Sequence, residues 1–517
     1  MSFKKPGLGV LVAILGIVAV AHICMPPWRE IFFFNGDSLT LALMAKSVRA
    51  GEAFHWTLSS QLFAFPEFVI YSGINLLVPD HRYTLLVNAF VSVCLLFVGY
   101  FLIARSVYSA EKARLAALAC VALVVFLIYC EPAADVNGGD IANLILFNTY
   151  YGGVIISSLL LLAIYNWQFQ IEGWTRSKVV LLALAFVVTA LTYFSDPLLL
   201  LQFCAPFLFC VLVLWWRKEV RTADLSAAIL TQVLGLGVGA GLRRMCTEFI
   251  GASVAGYVDP SKFFPALREL GHVMVQLFGS SWLSVLEYGV LLVVLIISVR
   301  WAVDSLVKGN RSTLPRGTSL VMLFAVVSPL AAICGTLVSG NYYTRYFLPV
   351  IYFTIIGLIP LLCSSAARCK KAIWVCLAGL VILIATTVRT VPSMSGQGAQ
   401  AADVDCFNQY MTQKKINVLG GYWVTRGLDL YSSTGARALQ FDGLTRGHWL
   451  NNSSPYFSNV FNGIIVERGE RFPNHIYLSD VDKFGAYSEK WQCRDFDILY
   501  YADGTQGFRM LNEAAKQ

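Results

Sequence analysis

Long apolar runs separated by short polar breaks occupy the chain up to about residue 390, where they give way to short alternating segments. A helix that crosses a bilayer needs about 17–25 mostly apolar residues. Runs of that length lie near 7–25, 83–104, 113–130, 143–165, 179–195, 197–216, 224–242, 286–303, 318–339, 343–363 and 371–388. They predict a polytopic α-helical membrane protein of about eleven spans. No small-residue cleavage site precedes Pro26-Pro27, so the first run reads as an anchor and not as a removable signal.

Basic residues assign the sides of the membrane. Lys4 and Lys5 begin the chain, and alternate breaks carry Arg105, Lys112 and Arg114; Arg176 and Lys178; Arg217, Lys218 and Arg221; Lys308, Arg311 and Arg316; and Arg368, Lys370 and Lys371. Short basic loops stay in the cytoplasm. The intervening breaks, such as 131–140 and 339–343, are acidic or neutral. This pattern places the N-terminus inside and the C-terminus outside, in a bacterial-type inner membrane.

Two outer segments are longer than connectors. In 26–82, Asp37 is expected to cap a helix over Ser38–Arg49 that stops at Gly51, and Pro66-Glu67 opens a second helix to Val78, too short to span. From 390 to 517, β-type runs at Ile416–Leu419, Ile464–Val466 and Ile498–Tyr501 alternate with candidate helices near 400–412 and 426–436, and turns are expected at Asp442-Gly443 and Asp503-Gly504. The expected division is therefore a membrane domain, 1–389, with surface helices in 26–82, and a small extracytoplasmic α/β domain, 390–517.

Composition supports this layout: 57% of residues are hydrophobic and 14% charged, against roughly 25% charged in soluble domains. The net charge of +8 is dispersed, which fits topology signals and anionic headgroups and gives no nucleic-acid footprint. Of 13 cysteines only Cys406 and Cys493 fall in the polar C-terminal region. They are either one disulfide or two thiols.

Several polar residues are candidates for chemistry at the outer face. Asp37 is either a helix cap or a general base for an acceptor hydroxyl, and the two roles are compatible. Glu131, Asp135 and Asp140 in the second outer loop offer oxygen ligands for a divalent cation, or form a solvated acidic turn. Asn148 and Tyr151 lie in a polar, aromatic stretch before Gly152-Gly153, suited to a sugar or to helix packing. Arg243, Arg244, Lys262, Arg268 and Arg345 fall on the outer side, against the orientation rule. They suit a phosphate or pyrophosphate, or else anchor headgroups. The chain has no HExxH, Walker or GxSxG motif and no metal-type CxxC pair, so nothing supports an ATPase, zinc protease or serine hydrolase.

Asn35-Gly36-Asp37-Ser38 after the first run, and Arg345-Tyr346-Phe347-Leu348-Pro349 at the start of the tenth, resemble motifs of the GT-C superfamily of membrane glycosyltransferases. The layout of nearly the whole chain is similar to that superfamily, and Gly420-Gly421-Tyr422-Trp423 through Phe441-Asp442-Gly443 looks like its outer domains. The first loop has a single acidic residue in place of an acidic pair, and no Trp-Trp-Asp occurs, which argues against an oligosaccharyltransferase. The resemblance implies inverting transfer from a polyprenyl-phosphate-linked sugar to a glycan, lipid or protein acceptor, O-antigen among them. Asp37 would be the base, and Arg345 with Arg243 or Arg244 would meet the departing phosphate. A lipid or glycan transporter and a membrane scaffold are the rival classes.

Overall fold

The computed structural model describes residues 5–131, 138–251, 259–308, 315, 317–390, 399–468 and 475–517. Lys4, Asp135, Arg311 and Arg316 lie outside them.

The first anchor, α1 (Lys5–Ile23), meets α2 (Trp28–Phe34) at 91° across Pro26-Pro27. The chain then runs over the surface through α3 (Thr40–Arg49), strand β1 (Trp56–Thr57), a wide turn at Ala64–Phe68 and α4 (Val69–Leu77). The bundle proper is α5 (His81–Arg105), α6 (Ala110–Ile128), α7 (Gly152–Gln170), α8 (Arg176–Ser195), α9 (Ala205–Trp216), α10 (Thr222–Met245), α11 (Phe263–Ser280), α12 (Trp282–Lys308) and α13 (Thr318–Val338), then α14 (Leu348–Tyr352) and α15 (Ile359–Ser364) within the run Thr344–Ser364, and α16 (Ala366–Thr390). All eleven expected runs are helical. Among the described residues, eight helices are long and apolar enough to span, or nine if the bent α1–α2 pair is one span. The expected eleven exceeds this because α6 starts with Glu111, Lys112 and Arg114 and the helix Leu200–Trp216 is short.

One helix was not legible as such. α11 lies in a segment with no apolar run, yet its apolar side chains share one face; Ala266 and Leu277 are buried while Phe264, Val275 and Phe278 stay exposed. A helix with an uncovered apolar stripe beside spanning helices suits the membrane interface.

Among the described residues the C-terminal part holds a mixed six-stranded sheet of order β4-β3-β2-β6-β8-β7. Its strands are β2 (Asn417–Gly420), β3 (Ala438–Asp442), β4 (Thr445–Arg446), β6 (Phe461–Glu467), β7 (Glu489–Gln492) and β8 (Phe496–Tyr500), while β5 (Asn451–Asn452) pairs elsewhere. The parallel β2 lies between β3 and β6, and the outer strands are antiparallel hairpin partners. α17 (Ala399–Lys414) and α18 (Tyr422–Tyr431) cover one face; α19 (Ser454–Ser458) and α20 (Gln506–Lys516) lie toward the other. Strands and first helix fall where the pattern put them. The second helix starts at Tyr422, not 426, because Gly421 caps it, and it ends before 436 because Ser432–Gly435 form a turn with Gly435 at φ +74°. Cys406 and Cys493 are disulfide-bonded across 5.8 Å between Cα atoms.

The two parts are sewn together. β1 of the first outer loop pairs antiparallel with β5, Trp56 opposite Asn452. Arg437 bridges Asp429 of its own domain and Glu52 of the loop, and Lys46 reaches Asp429. Desolvated pairs of this kind are costly to break, so they fix the docking register.

Candidate active site

The segment Asn35–Ser38 was expected to cap the helix that follows. It does not. α3 begins at Thr40, behind Leu39, without a side-chain cap. Instead Asn35 Oδ1 accepts from the Asp37 backbone N–H at 3.0 Å, folding the loop back on itself. This frees the Asp37 carboxylate, whose Oδ1 accepts a hydrogen bond of 2.6 Å from the Tyr422 hydroxyl of α18. Gly36 is required here, because a methyl group on its Cα would overlap the Tyr422 ring. Arg426, one turn further along α18, is buried and donates to the Gly36 carbonyl at 2.8 Å, to Thr40 Oγ1 at 2.9 Å and to the Leu450 carbonyl. The C-terminal domain therefore holds the carboxylate loop in place.

Arg345 stands opposite. The sequence Tyr-Tyr-Thr-Arg-Tyr makes one tight turn, Thr344–Phe347, which leaves the guanidinium 5.4 Å from the ring centres of both Tyr343 and Tyr346. Its Nε is buried with no hydrogen-bond partner among the described residues. Arg345 is within electrostatic reach of Asp37, Tyr150 and Tyr151. Tyr150 feels both charges, and its hydroxyl donates at 3.4 Å to Asn35 Oδ1. Tyr151 packs against Tyr346 at 5.2 Å and sits at φ +64°, a left-handed conformation that costs a tyrosine on the order of 1 kcal/mol or more. A partly buried carboxylate, a cation with an uncommitted donor and two tyrosines thus meet at one place.

The structure gives the other candidates separate surroundings. Glu131 is buried, and its carboxylate accepts from the backbone N–H groups of Ala142 and Asn143 and from Asn143 Nδ2, which ties down the second loop; burial pushes it up to about 7. Asp140 is buried near Glu287 and Tyr288. Asp135, the other cation candidate, is not described, and the described residues contain no group of three or more His, Cys, Asp or Glu arranged for a metal. Asn148 faces a small cavity with Glu67, Asn88 and Ser92. Arg243 donates to the carbonyls of Phe194 and Ser60, beside Asp196, which burial raises to about 7. Asp196 accepts from the Leu198 N–H at 2.9 Å and so caps the helical turns that follow Pro197. Arg244 is exposed at the end of α10, Arg268 is exposed on α11, and Lys262 pairs with Asp259 at 3.5 Å. Sequence reading missed Tyr422 and Arg426 as parts of the site, since no local signal says that α18 lands on residue 36.

No protein-family model matches the chain, and no curated protein is significantly similar to it in sequence. Solved structures are similar in shape. ArnT from Cupriavidus metallidurans, solved bound to undecaprenyl phosphate, superposes with a TM-score of 0.55 over 97% of this chain and 99% of that one, at 11% identity. At that identity the likeness shows the fold alone: the chain is folded like ArnT. The oligosaccharyltransferase of Archaeoglobus fulgidus in its apo form gives a TM-score of 0.50 at 11% identity, covering 90% of this chain and 70% of that one. Both likenesses cover most of this chain, so the shared fold extends over the helical bundle and into the C-terminal part.

Proposed function

We propose that the chain is a glycosyltransferase of the cytoplasmic membrane that moves a sugar from a polyprenyl-phosphate donor to a glycan, lipid or protein acceptor at the outer face. One observation carries this reading: on a GT-C fold, the Asp37 carboxylate held by Tyr422 and the Arg345 guanidinium with an unpartnered Nε lie within electrostatic reach of each other and of Tyr150. Asp37, oriented by Tyr422, accepts the proton of the acceptor hydroxyl as its oxygen attacks the anomeric carbon. The bond from that carbon to the phosphate oxygen breaks on the opposite side, so the configuration inverts. Arg345 meets the charge that builds on the departing lipid phosphate. Its free Nε suits that task better than Arg243, which is already tied to two carbonyls. ArnT's bound undecaprenyl phosphate supports a polyprenyl-phosphate donor here. Because the donor is itself a membrane lipid, no nucleotide site is needed.

The test is reconstitution in vesicles with a polyprenyl-phosphate sugar and an acceptor. Asp37→Asn should lower turnover by ~10²–10⁴-fold with donor binding retained. Turnover equal to wild type sinks the assignment, and lipid flipping without transfer makes the chain a transporter.

A further inference from the structure

α18 separates two environments. Tyr422, Arg426 and Asp429 face the carboxylate loop and its dockings, whereas Trp423, Gly427 and Leu428 line a cavity of about 210 Å³ on the other side. We propose that this cavity is a saccharide subsite that takes one neutral pyranose ring, with Trp423 against the ring face and Glu467 and Asp403 bonded to hydroxyls.

The volume suits one ring; drug-sized ligands occupy ~300–1,000 Å³. Phe34, Val424, Leu428 and Phe496 form an apolar floor, and the indole of Trp423 is 37% exposed beside it. Polar groups converge from the end of β6 and from α17. Glu467 is only 9% exposed; its Oε2 accepts from the Ile476 N–H at 3.3 Å and lies 2.6 Å from His475 Nδ1, while its Oε1 has no hydrogen-bond partner among the described residues. Asp403 accepts from the backbone N–H groups of Arg494 and Asp495.

These groups select the ligand class. A purely apolar ligand would leave Glu467 Oε1 without a partner, at ~1–3 kcal/mol. An anion would face Asp403 and Asp495, while Arg468 is already held by Asp497. A cation finds less charge than the formal count suggests, because burial raises Glu467 to about 8 and keeps it protonated near neutral pH. What remains is an uncharged ligand with one apolar face and a polar edge, which describes a pyranose. Phe34 lies three residues before Asp37, and Trp423 adjoins Tyr422. A glycan gripped here is therefore anchored across α18 from the proposed base. That it is the acceptor rests on the transferase reading; that it binds does not.

The experiment titrates full-length protein in nanodiscs with neutral gluco-, galacto-, manno- and N-acetylglucosamine trisaccharides, and with the cationic glucosamine trisaccharide. Saturation-transfer NMR and calorimetry provide the readouts. At least one neutral trisaccharide should bind with Kd on the order of 1 mM. Trp423→Ala should weaken it tenfold or more, Trp423→Phe should restore part of the loss, and Glu467→Gln should weaken it less. Asp37→Asn should leave binding unchanged, which separates this subsite from the chemistry. The subsite is overturned if no neutral trisaccharide saturates, if Trp423→Ala binds like wild type, or if the cationic sugar binds tighter than its N-acetyl form. Binding without transfer by wild type would keep the subsite and end the transferase reading. Transfer by Trp423→Ala with unchanged acceptor KM would end its role as acceptor site.

Discussion

Arg345 is held by two tyrosine faces, and that arrangement makes lysine a poor replacement. A lysine ammonium is a compact, strongly hydrated charge without the planar fork that stacks on rings and meets phosphate oxygens. Arg345→Ala should lower kcat by ~10²–10³-fold, as loss of one charge-stabilising group does, and Arg345→Lys should recover only part of it; steady-state kinetics in vesicles measures both. A second residue-scale expectation concerns Glu467, whose carboxyl rises from its ordinary 4.5 to about 8 because it is buried. Between those values the folded domain holds a proton that the unfolded chain has released, so stability falls as pH rises and the loss is complete above about 8. His475 is lowered from 6.5 by burial and contributes in the opposite sense, but only below its ordinary value. The window to read is therefore about 6.5 to 8. Glu467→Gln should flatten the decline there, as seen in hydrogen-exchange protection of Ile464–Val466 after correction for intrinsic rates. Neither residue's surroundings were written locally. The excess of outer arginines was visible in sequence, but only the fold distinguishes the uncommitted Arg345 from Arg243, which is bound to Phe194 and Ser60.

At the scale of elements, periodicity located what depends on periodicity. The spanning runs, the surface helix from Pro66 and the strands around Leu419, Ile465 and Leu499 follow from apolar spacing and local turn chemistry. α11 escaped because an interfacial helix has a stripe and not a run, and α3 lost its expected cap because Asp37 is recruited by a residue 385 positions away. The α18 contact explains this recruitment. Arg426 brings three donors to acceptors in two separate segments, Gly36–Thr40 and Leu450. Arg426→Ala should weaken the docking by ~3 kcal/mol, since it strands buried acceptors of a charged donor. Exchange protection should fall together across 36–50 and 445–455 while the sheet core stays protected. Protection lost evenly over the whole domain would instead mean that Arg426 stabilises the domain and not its docking.

For the whole molecule, that docking constrains topology more tightly than charge bias does. The first outer loop and the C-terminal domain share a β-ladder between β1 and β5, so both lie on the same side of the membrane. The chain between residues 82 and 399 must then cross an even number of times. Eight helices in that stretch are long and apolar enough to span, and α6 and the helix ending at Trp216 are the two in doubt. Parity requires that both cross or neither does. α6 packs along α1, α5 and α16 and is buried for most of its length, which places it inside the bundle. A crossing α6 obliges Leu200–Trp216 to cross as well, short as it is; its packing against α13 keeps it within the bundle. With both crossing, ten crossings would follow the first loop and eleven would include α1, a count that labelling can test against the eight or nine helices long and apolar enough to span among the described residues. A disulfide at Cys406–Cys493 fits the oxidising outer side for the domain these crossings lead to. Single cysteines placed in the α6–α7 and α8–α9 connections should both react with an impermeant maleimide in intact cells. One in the α9–α10 turn near Lys218 should react only after permeabilisation. Labelling of the Lys218 position in intact cells would remove α9 from the spans and, by parity, α6 with it.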